Sequence, residues 1–376
     1  METIYSDAFK KSLSAAEPAD LRRLREEAFA TFSRVGFPPV KSEDWKYTNV
    51  APIVSNEWKI SEEPRRVAAD IDLDLLKRFN ADRNGFAAMN LAFGEIATLR
   101  ITKDTSVDEP IEFKFSGNEG EATFPHLLVI VEAGSKATIV ETYGSPVKSF
   151  TNAAVQIVVE DNANLTHYRV QKESLETFHY GVTEVTLGRG ASYNATNINL
   201  GSALSRHDID VKFAAEGSEA WVDGLYMIGG SQHSDTHSII DHTVPHCTSH
   251  QNYKGVLNDK SRAVFNGKVF VRENANGTDA QQSNKNLLLS NDARVDTKPQ
   301  LEIFNDDVKC AHGATVGQLE EEELFYLLTR GLPETLARNL LTYGFAEEII
   351  NKIGIEGIKS ELDAVVLNRL NAIIET

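Results

Sequence analysis

A cysteine and a histidine stand two residues apart in the segment Val308-Lys309-Cys310-Ala311-His312-Gly313. On an extended strand such residues project to the same side, so the spacing predicts the Cys310 thiol beside the His312 imidazole. Thiolate and imidazole together suit thiophilic metals such as iron. Two ligands are too few for a closed iron–sulfur site, so a cluster held here needs ligands from another chain. On the chemistry of these two residues alone, a packed structural cysteine is the better explanation.

Half of the ten histidines fall in one short stretch with a cysteine among them, at His233, His237, His242, His246, Cys247 and His250. The period of two on a strand predicts that His233 and His237 share one side, and that His242 and His246 share a side. Imidazoles at this density could bind zinc or iron, with His242 and His246 as the second choice for a metal site. The stretch lacks the short fixed spacings of zinc motifs. Hydrogen bonds between neighbouring strands are therefore the favoured explanation.

Motifs of common enzyme classes are absent from the sequence. There is no GxxxxGK[ST] phosphate loop, no HExxH and no GxSxG elbow. The tight turn at 188–190 is followed by Ala191-Ser192-Tyr193 and not by the rest of a dinucleotide fingerprint. We therefore expect a chain that is not an enzyme and that binds no nucleotide itself.

The composition excludes several classes of partner. The 376 residues carry a net charge of −17, which argues against a non-specific nucleic-acid binder. No run of 18 apolar residues suggests a membrane-spanning helix, and the start Met1–Asp7 lacks the basic and apolar segments of a secretory signal. Two cysteines do not make a disulfide framework, so we expect a reducing, cytoplasmic setting.

The two ends of the chain have helical periodicity. Residues 1–94 are predicted to be mostly helical, with a helix over Asp20–Arg34 that ends at Gly36. Ser42 is placed to cap a helix start that packs Trp45 on the neighbouring helix. Residues 317–376 are predicted to form three short amphipathic helices. Their apolar residues are too many to be buried among themselves, which indicates a docking surface for a partner.

Short β-type runs fill residues 95–316, and a turn tetrad recurs among them. It begins at Gly134, Asn162, Gly190 and Gly217, at offsets of 28, 28 and 27 residues. Later copies are expected at 260–263 and 292–295, with an interruption over 221–259. A turn repeated at this phase predicts a right-handed parallel β-helix with the tetrads stacked at one corner. The alternative is a β-sandwich, whose turns normally recur every 8–12 residues.

Several longer motifs resemble one known family. They are Glu43-Asp44-Trp45-Lys46-Tyr47-Thr48, Asp241 to His246, Phe265-Asn266-Gly267, Gln281 to Leu289, Lys298 to Ile303, Asp306 to Gly317 and Leu328-Thr329-Arg330-Gly331. Together they are similar to the SufB/SufD scaffold proteins of iron–sulfur cluster assembly, and to the SufD branch in particular. The likeness spans essentially the whole chain and is strongest over residues 240–345.

The resemblance implies a fold and a set of partners. The fold is mainly β, a parallel β-helix flanked by N-terminal and C-terminal helices. The β-helix would pair with a SufB-like scaffold, or with a second copy when the chain is isolated. The C-terminal helices would dock a SufC-like ATPase, and that ATPase would supply the nucleotide site. Residues expected in that contact are Leu324, Leu328, Arg330, Gly331, Leu336 and Leu340.

The resemblance also implies roles for the Cys-x-His motif. Cys310 and His312 would lie at the SufB interface, where a transient cluster or iron is completed by partner ligands. A role in iron acquisition would belong to this side of the complex. SufB-type members carry further cysteines that are thought to receive sulfur. This chain has only two, which favours SufD and argues against a sulfur acceptor.

Two other functions compete with a non-enzymatic scaffold. One is a metal-dependent β-helix enzyme that uses the histidines of 233–250 as ligands. The other is a solenoid that binds polysaccharide, which would need exposed aromatic residues stacked along the rungs. Trp221 is the only tryptophan in the predicted solenoid, so the second alternative has little support.

Overall fold

The computed structural model describes residues 2–13, 17–60 and 71–372. The helices are α1 (Glu2–Ser12), α2 (Ala19–Val35), α3 (Ala51–Val54), α4 (Leu73–Leu76), α5 (Gly85–Phe93), α6 (Glu321–Thr329), α7 (Glu334–Ile350) and α8 (Glu356–Ala372), with 3₁₀ turns at Glu43–Trp45 and Ala81–Arg83. The first nine strands are β1 (Lys59–Ile60), β2 (Glu95–Ile101), β3 (Ile111–Phe115), β4 (Glu121–Thr123), β5 (Pro125–Val131), β6 (Lys136–Tyr143), β7 (Phe150–Val159), β8 (Asn164–Gln171) and β9 (Phe178–Leu187). They are followed by β10 (Ser192–Asn199), β11 (Leu204–Phe213), β12 (Glu219–Ile228), β13 (His233–His242), β14 (Thr248–Leu257), β15 (Arg262–Val271), β16 (Thr278–Leu288), β17 (Arg294–Ile303) and β18 (Val308–Gly317).

The strands form two sheets that coil around one interior. Sheet A runs β1-β4-β7-β9-β11-β13-β15-β17, with β5 between β2 and β7, and sheet B runs β3-β6-β8-β10-β12-β14-β16-β18. Every pairing between described strands is parallel, and from β5 onward consecutive strands alternate between the sheets. Each turn of the coil therefore adds one strand to each sheet. The predicted parallel β-helix with helices at both ends is confirmed.

The first four tetrads stack at one corner, as predicted. Gly134, Asn162, Gly190 and Gly217 all have left-handed backbone, with φ between 57° and 75°. The strands that follow them pair in one register, in which Ala137, Leu165, Tyr193 and Ala220 form a single inward column. Glycine and asparagine are the residues that tolerate this conformation best, which is why they mark the corner.

The two later copies of the tetrad were assigned to the wrong corner. Residues 260–263 and 292–295 lead into β15 and β17, which belong to sheet A. The corner of the first four tetrads continues instead at His246 and Gly277, where φ is 57° and 68°. The region 221–259 is also not an interruption, because β12, β13 and β14 continue the coil through it. The pattern was hidden because a histidine occupies the left-handed position and the spacing lengthens to 29 and 31 residues.

The N-terminal helices cover the outer face of sheet A. All nine residues of α5 are buried, and Trp45 packs against both Phe86 of α5 and Tyr180 of β9, with ring centroids 5.6 Å and 6.1 Å away. The Arg206 guanidinium lies 3.8 Å from the Trp45 ring centroid, a cation–π contact. Ser42 stands before the 3₁₀ turn, but its side chain makes no capping hydrogen bond. Trp45 therefore joins the helical region to the solenoid and is not only a helix contact.

The C-terminal helices cover the outer face of sheet B. The second half of α7 and one face of α8 bury Ala346, Ile349, Ile350, Leu362, Val366 and Leu370. These side chains pack against outward-facing residues of sheet B such as Tyr168, Ile198 and Leu225. The long strands of the solenoid begin with β2 at Glu95 and end with β18 at Gly317.

The interior of the solenoid is apolar on one side and polar on the other. The polar side holds Glu141 bound to His167, with 2.6 Å between Oε1 and Nε2. Nearby, Arg169 donates to Nε2 of His179, whose Nδ1–H donates to Glu173 at 3.0 Å. This chain of bonds fixes the His179 tautomer, and burial lowers its pKa. Buried charges at these positions are thus matched by partners in neighbouring rungs.

His242 is a buried interior residue of the apolar side. Its ring stacks on Phe213 with centroids 4.3 Å apart, and Nε2 lies 2.8 Å from Ser249 Oγ. Within the described part of the chain, its Nδ1 has no hydrogen-bond partner. Burial lowers the pKa of His242 to about 4, although Asp241 nearby acts in the opposite direction. The folded protein therefore holds this imidazole neutral where an unfolded chain would protonate it.

The difference in the pKa of His242 between the folded and unfolded chain predicts that the protein loses stability in acid. Because its pKa is lowered on folding, the unfolded chain binds the extra proton first, and stability falls as the pH drops from about 6.5 to about 4. Across that window the residue should cost the fold roughly 3 kcal/mol. In His242→Phe, the fall in the free energy of unfolding between pH 7 and pH 4, measured by urea titration, should be smaller by about that amount. An unchanged pH dependence would contradict the assignment.

Candidate functional site

The last rung of the solenoid has no successor in the described part of the chain. In the sheet order, β17 pairs only with β15 and β18 only with β16. Most side chains of β18 are exposed, and those of β17 are exposed or half-buried. The far edges of both strands carry unpaired backbone N–H and C=O groups, which are a template for pairing with another chain. This end of the solenoid is the open end.

Cys310 and His312 lie on β18 at the open end. In the register with β16, Cys310 is opposite Ala280 and His312 is opposite Gln282, and both of those residues are buried. Cys310 and His312 therefore occupy inward-facing columns, on the same side of the strand as the spacing predicts. Because no further rung covers them, Cys310 is only half-buried and His312 is exposed.

The environment of Cys310 differs from that of His312. Cys310 packs against the edge of the solenoid core. Burial raises the pKa of its thiol, with Asp279 acting in the same direction and a backbone hydrogen bond from Ala280 opposing it. The raised pKa favours the protonated thiol at neutral pH. A thiol and an imidazole therefore lie side by side at the open end, and both are groups that can bind a metal ion.

A groove crosses the outer face of sheet B and ends at β18. It encloses about 380 Å³, and its lining includes the small residues Ser283, Ala311 and Gly313 as well as Gln282 and His312. One wall is Trp221, whose ring is stacked on His250 at 4.1 Å with the planes 5° apart. The other wall holds ion pairs and amides, including Lys352 bound to Asp223 at 2.7 Å. Trp221 thus belongs to a local stack, which gives no support to a polysaccharide-binding face.

The histidines of 233–250 are dispersed over different surfaces. His233 and His237 face outward from sheet A, where His233 Nε2 lies 2.9 Å from Thr48 Oγ1 and His237 Nε2 lies 3.0 Å from Asp235. His242 is inside the solenoid and His246 is exposed at the corner, so the second-choice pair is not brought together as a site. No three His, Cys, Asp or Glu side chains in residues 2–13, 17–60 and 71–372 are grouped so as to hold a metal ion. The geometry therefore favours the hydrogen-bonding explanation.

A polar network under the Glu43–Thr48 segment was not foreseen from the sequence. Thr48 donates to Asp235 at 2.6 Å, and Arg206 binds both Asp208 and Asp235 at 2.8 Å and 3.1 Å. Burial opposes the ionisation of Asp235, but His237 and Arg206 outweigh it and hold its pKa well below the usual range. The network anchors this segment on strands β11 and β13. Its members are up to 187 residues apart, so no local pattern could have revealed it.

The segment also reaches the strands that lead to the open end. Glu43 forms an ion pair with Lys298 of β17 at 2.9 Å, and Asp44 lies 3.4 Å from Lys268 of β15. Both acidic side chains are largely exposed, so these bonds contribute little to stability. They place the N-terminal region against the last rungs of sheet A.

No described residues cover the first part of the C-terminal helical region. No residue of α6 is buried, and Phe325 and Tyr326 are 67% and 56% exposed. Leu336 and Leu340 of α7 are nearly half exposed, and Leu328 of α6 is 37% exposed. Arg330 and Gly331 in the connection are exposed as well, whereas Leu324 is half-buried. The predicted docking residues therefore share one projecting helix pair.

None of the helices in the described residues is both long enough and apolar enough to span a bilayer.

Family comparisons match almost the whole chain. Residues 113–345 match the SufBD core domain of the SUF system for FeS cluster assembly, and residues 2–111 match the SufBD N-terminal region. The core match runs from within β3 to within α7, so it includes most of the solenoid, both Cys310 and His312, and all of α6.

Individual relatives agree with the family match. The SufD protein of Escherichia coli is 31% identical over an alignment of 383 positions, gaps included, which covers 90% of each chain. An iron–sulfur cluster assembly SufBD family protein of Synechocystis is 38% identical over 74% of this chain and 64% of its own length. The SufD protein of Bacillus subtilis is 30% identical over 72% of this chain and 63% of its own length. The chain thus spans under two thirds of two of these relatives and nine tenths of the third.

Proposed function

The chain belongs to the SufBD family of the SUF iron–sulfur cluster assembly system, and we propose that it is a SufD-like scaffold without catalytic activity of its own. In this proposal it pairs with a SufB-like chain and a SufC-like ATPase in the cytoplasm, and takes part in iron acquisition. The observation that carries the proposal is the position of Cys310 and His312 on the unpaired last rung. They would supply two ligands of a metal site, on a surface that a partner chain would cover.

The cargo is iron or a nascent cluster, bound transiently. The Cys310 thiolate and the His312 imidazole are both ligands that iron accepts. Binding releases the thiol proton, because the thiolate and not the thiol is the ligand. The remaining ligands come from the partner chain, since two protein ligands do not close an iron–sulfur site. A site divided between two chains forms only in the complex and is undone when they separate.

The partner scaffold would cover the open end. The edges of β17 and β18 offer unpaired backbone groups, and a strand of the partner added there would satisfy them. In the isolated chain a second copy would take the same place, which gives a homodimer. Either arrangement buries the half-exposed thiol and the exposed imidazole.

The ATPase would dock on the projecting helix pair. Phe325, Tyr326, Leu336 and Leu340 present apolar surface that nothing in the described residues covers. Large exposed apolar residues on two adjacent helices are typical of a protein interface. The nucleotide would be bound by the ATPase, in keeping with the missing phosphate loop in this chain.

The first prediction of this proposal concerns His312. In His312→Ala, the complex with the partner scaffold and the ATPase should form with normal yield and melting temperature, because the side chain is exposed. Its iron and sulfide content after anaerobic reconstitution should fall to the background of the separated chains. His246→Asn is the matched control, since it removes another exposed histidine and keeps a residue that tolerates the left-handed backbone.

One result would contradict a ligand role for Cys310 and His312. If a double variant with Cys310→Ala and His312→Ala assembles and loads iron and sulfide as the wild type does, neither residue is a ligand. If yield and melting temperature fall together with iron content, the pair has a structural role.

The second prediction concerns the helix pair. A variant with Leu336→Asp and Leu340→Asp should lose affinity for the ATPase by about a hundredfold or more, since two apolar contacts of about 2 kcal/mol each are removed. The folded core should be unaffected because both side chains are nearly half exposed. Leu367→Asp on α8, at a leucine of similar exposure, is the control and should bind normally. Full-strength binding by the double variant, measured by calorimetry, would exclude this surface.

A further inference from the structure

The side chain of Gln282 is held in one orientation inside the solenoid. Its Nε2 donates to Oε1 of Gln251 at 2.6 Å, and Nε2 of Gln251 donates in turn to Ser238 Oγ at 2.9 Å. The three residues form a hydrogen-bonded row that crosses the interior from sheet B to sheet A. Because the Gln282 amide nitrogen is committed to this row, its carbonyl oxygen points away from it.

The side-chain amide of Gln282 lies directly against Gly267. A Cβ at position 267 would lie 2.3 Å from Nε2 and 2.8 Å from Cδ of Gln282. The absence of a side chain there leaves the space that the amide fills. Gly267 and Gln282 belong to two motifs on strands of opposite sheets, and their packing against each other explains why a glycine and a glutamine occupy these positions.

The carbonyl oxygen of Gln282 has no hydrogen-bond partner among the residues that the structure describes. Gln282 is only 3% exposed, and its Oε1 is buried with nothing donating to it. An amide oxygen in such a place costs free energy until a donor is supplied. The next residue in its column is His312, its register partner on β18. Neighbouring strands lie about 4.8 Å apart, a separation that a rotated imidazole spans with an N–H group.

We propose that Gln282 positions His312 by accepting a hydrogen bond from one of its ring nitrogens through Oε1. The bond fixes the tautomer and the plane of the ring, and it leaves the other nitrogen bare and directed toward the partner interface. Histidines that bind metals commonly donate a hydrogen bond from the N–H of the second ring nitrogen to a carbonyl or a carboxylate. Cys310 receives no such help, since Ala280 below it carries no acceptor. The inference rests on the proposed function, because it gives the orientation of a residue assigned there as an iron ligand.

The test uses nitrogen-15 NMR of the histidine rings in the full chain without metal, with His312 assigned from the signal lost in His312→Asn. In the wild type, one tautomer of His312 should dominate, and its ring N–H should show a coupling across the hydrogen bond to the Gln282 carbonyl carbon. Gln282→Met keeps the length and removes the acceptor, so the coupling should vanish and the tautomer ratio should change. Gln282→Glu keeps an acceptor and should restore the dominant tautomer.

A second measurement links the bond to iron. In the assembled complex, Gln282→Met should weaken iron binding 10–100-fold, as the loss of an outer partner of a metal-bound histidine does. Gln282→Glu should recover most of that loss. Gln281→Met is the matched control, because the neighbouring glutamine points outward into the groove and should bind iron like the wild type.

The proposal is overturned if the wild-type chain shows no coupling between His312 and Gln282, a result that requires no variant to fold. It is also overturned if Gln282→Met folds and retains the wild-type tautomer ratio and iron affinity. Failure of the proposed function would give a different experimental result. In that case His312→Ala itself binds iron normally, whatever the state of the Gln282 bond.

Discussion

Parallel pairing between successive rungs is the constraint on which the rest of the structure depends. Each strand of the coil satisfies its backbone groups through the strands before and after it, and each inward side chain is buried by the next rung. At β17 and β18 the sequence of rungs stops. The same columns that are closed elsewhere, such as the one through Gln251 and Gln282, are open where they reach His312. Exposure of the candidate ligands is a direct result of where the coil ends.

The polar half of the interior supports this arrangement by fixing the register. Glu141, His167, Arg169 and His179 are matched across neighbouring rungs, and a slip of one residue would turn them outward against the apolar contacts with the covering helices. Breaking a buried pair of this kind leaves an uncompensated charge in the core. A fixed register carries through to the last strand. The register places Cys310 next to Ala280 and His312 next to Gln282. The buried pairs in the early rungs therefore help to set the positions of the residues at the open end.

Much of the fold was predictable because it depends on local signals. A turn residue with left-handed backbone recurs at Gly134, Asn162, Gly190 and Gly217, and the period-two rule places Cys310 and His312 on one side. The prediction failed at His246, since a histidine in the left-handed position resembles no turn signal and the rung there is longer. Helix α5 was also missed, because a helix that is buried on all faces has no amphipathic period.

The parts of the site that sequence could not reveal depend on long-range contacts. Thr48 meets Asp235 across 187 residues, and Gly267 leaves room for the amide of Gln282 on the opposite sheet. Whether an inward-facing histidine is buried or accessible is decided by its place in the coil. His242 and His312 are both inward-facing, but one is closed over by further rungs and the other is not.

Amide hydrogen exchange on β17 and β18 tests the central claim, that a partner chain covers the open end, most directly. The account predicts fast exchange at the free edges of both strands in the chain diluted until it is monomeric, and strong protection of those amides and of the Cys310–His312 segment once the scaffold partner is bound. Protection on the outer face of sheet B, with the amides of β17 and β18 exchanging as before, would contradict it.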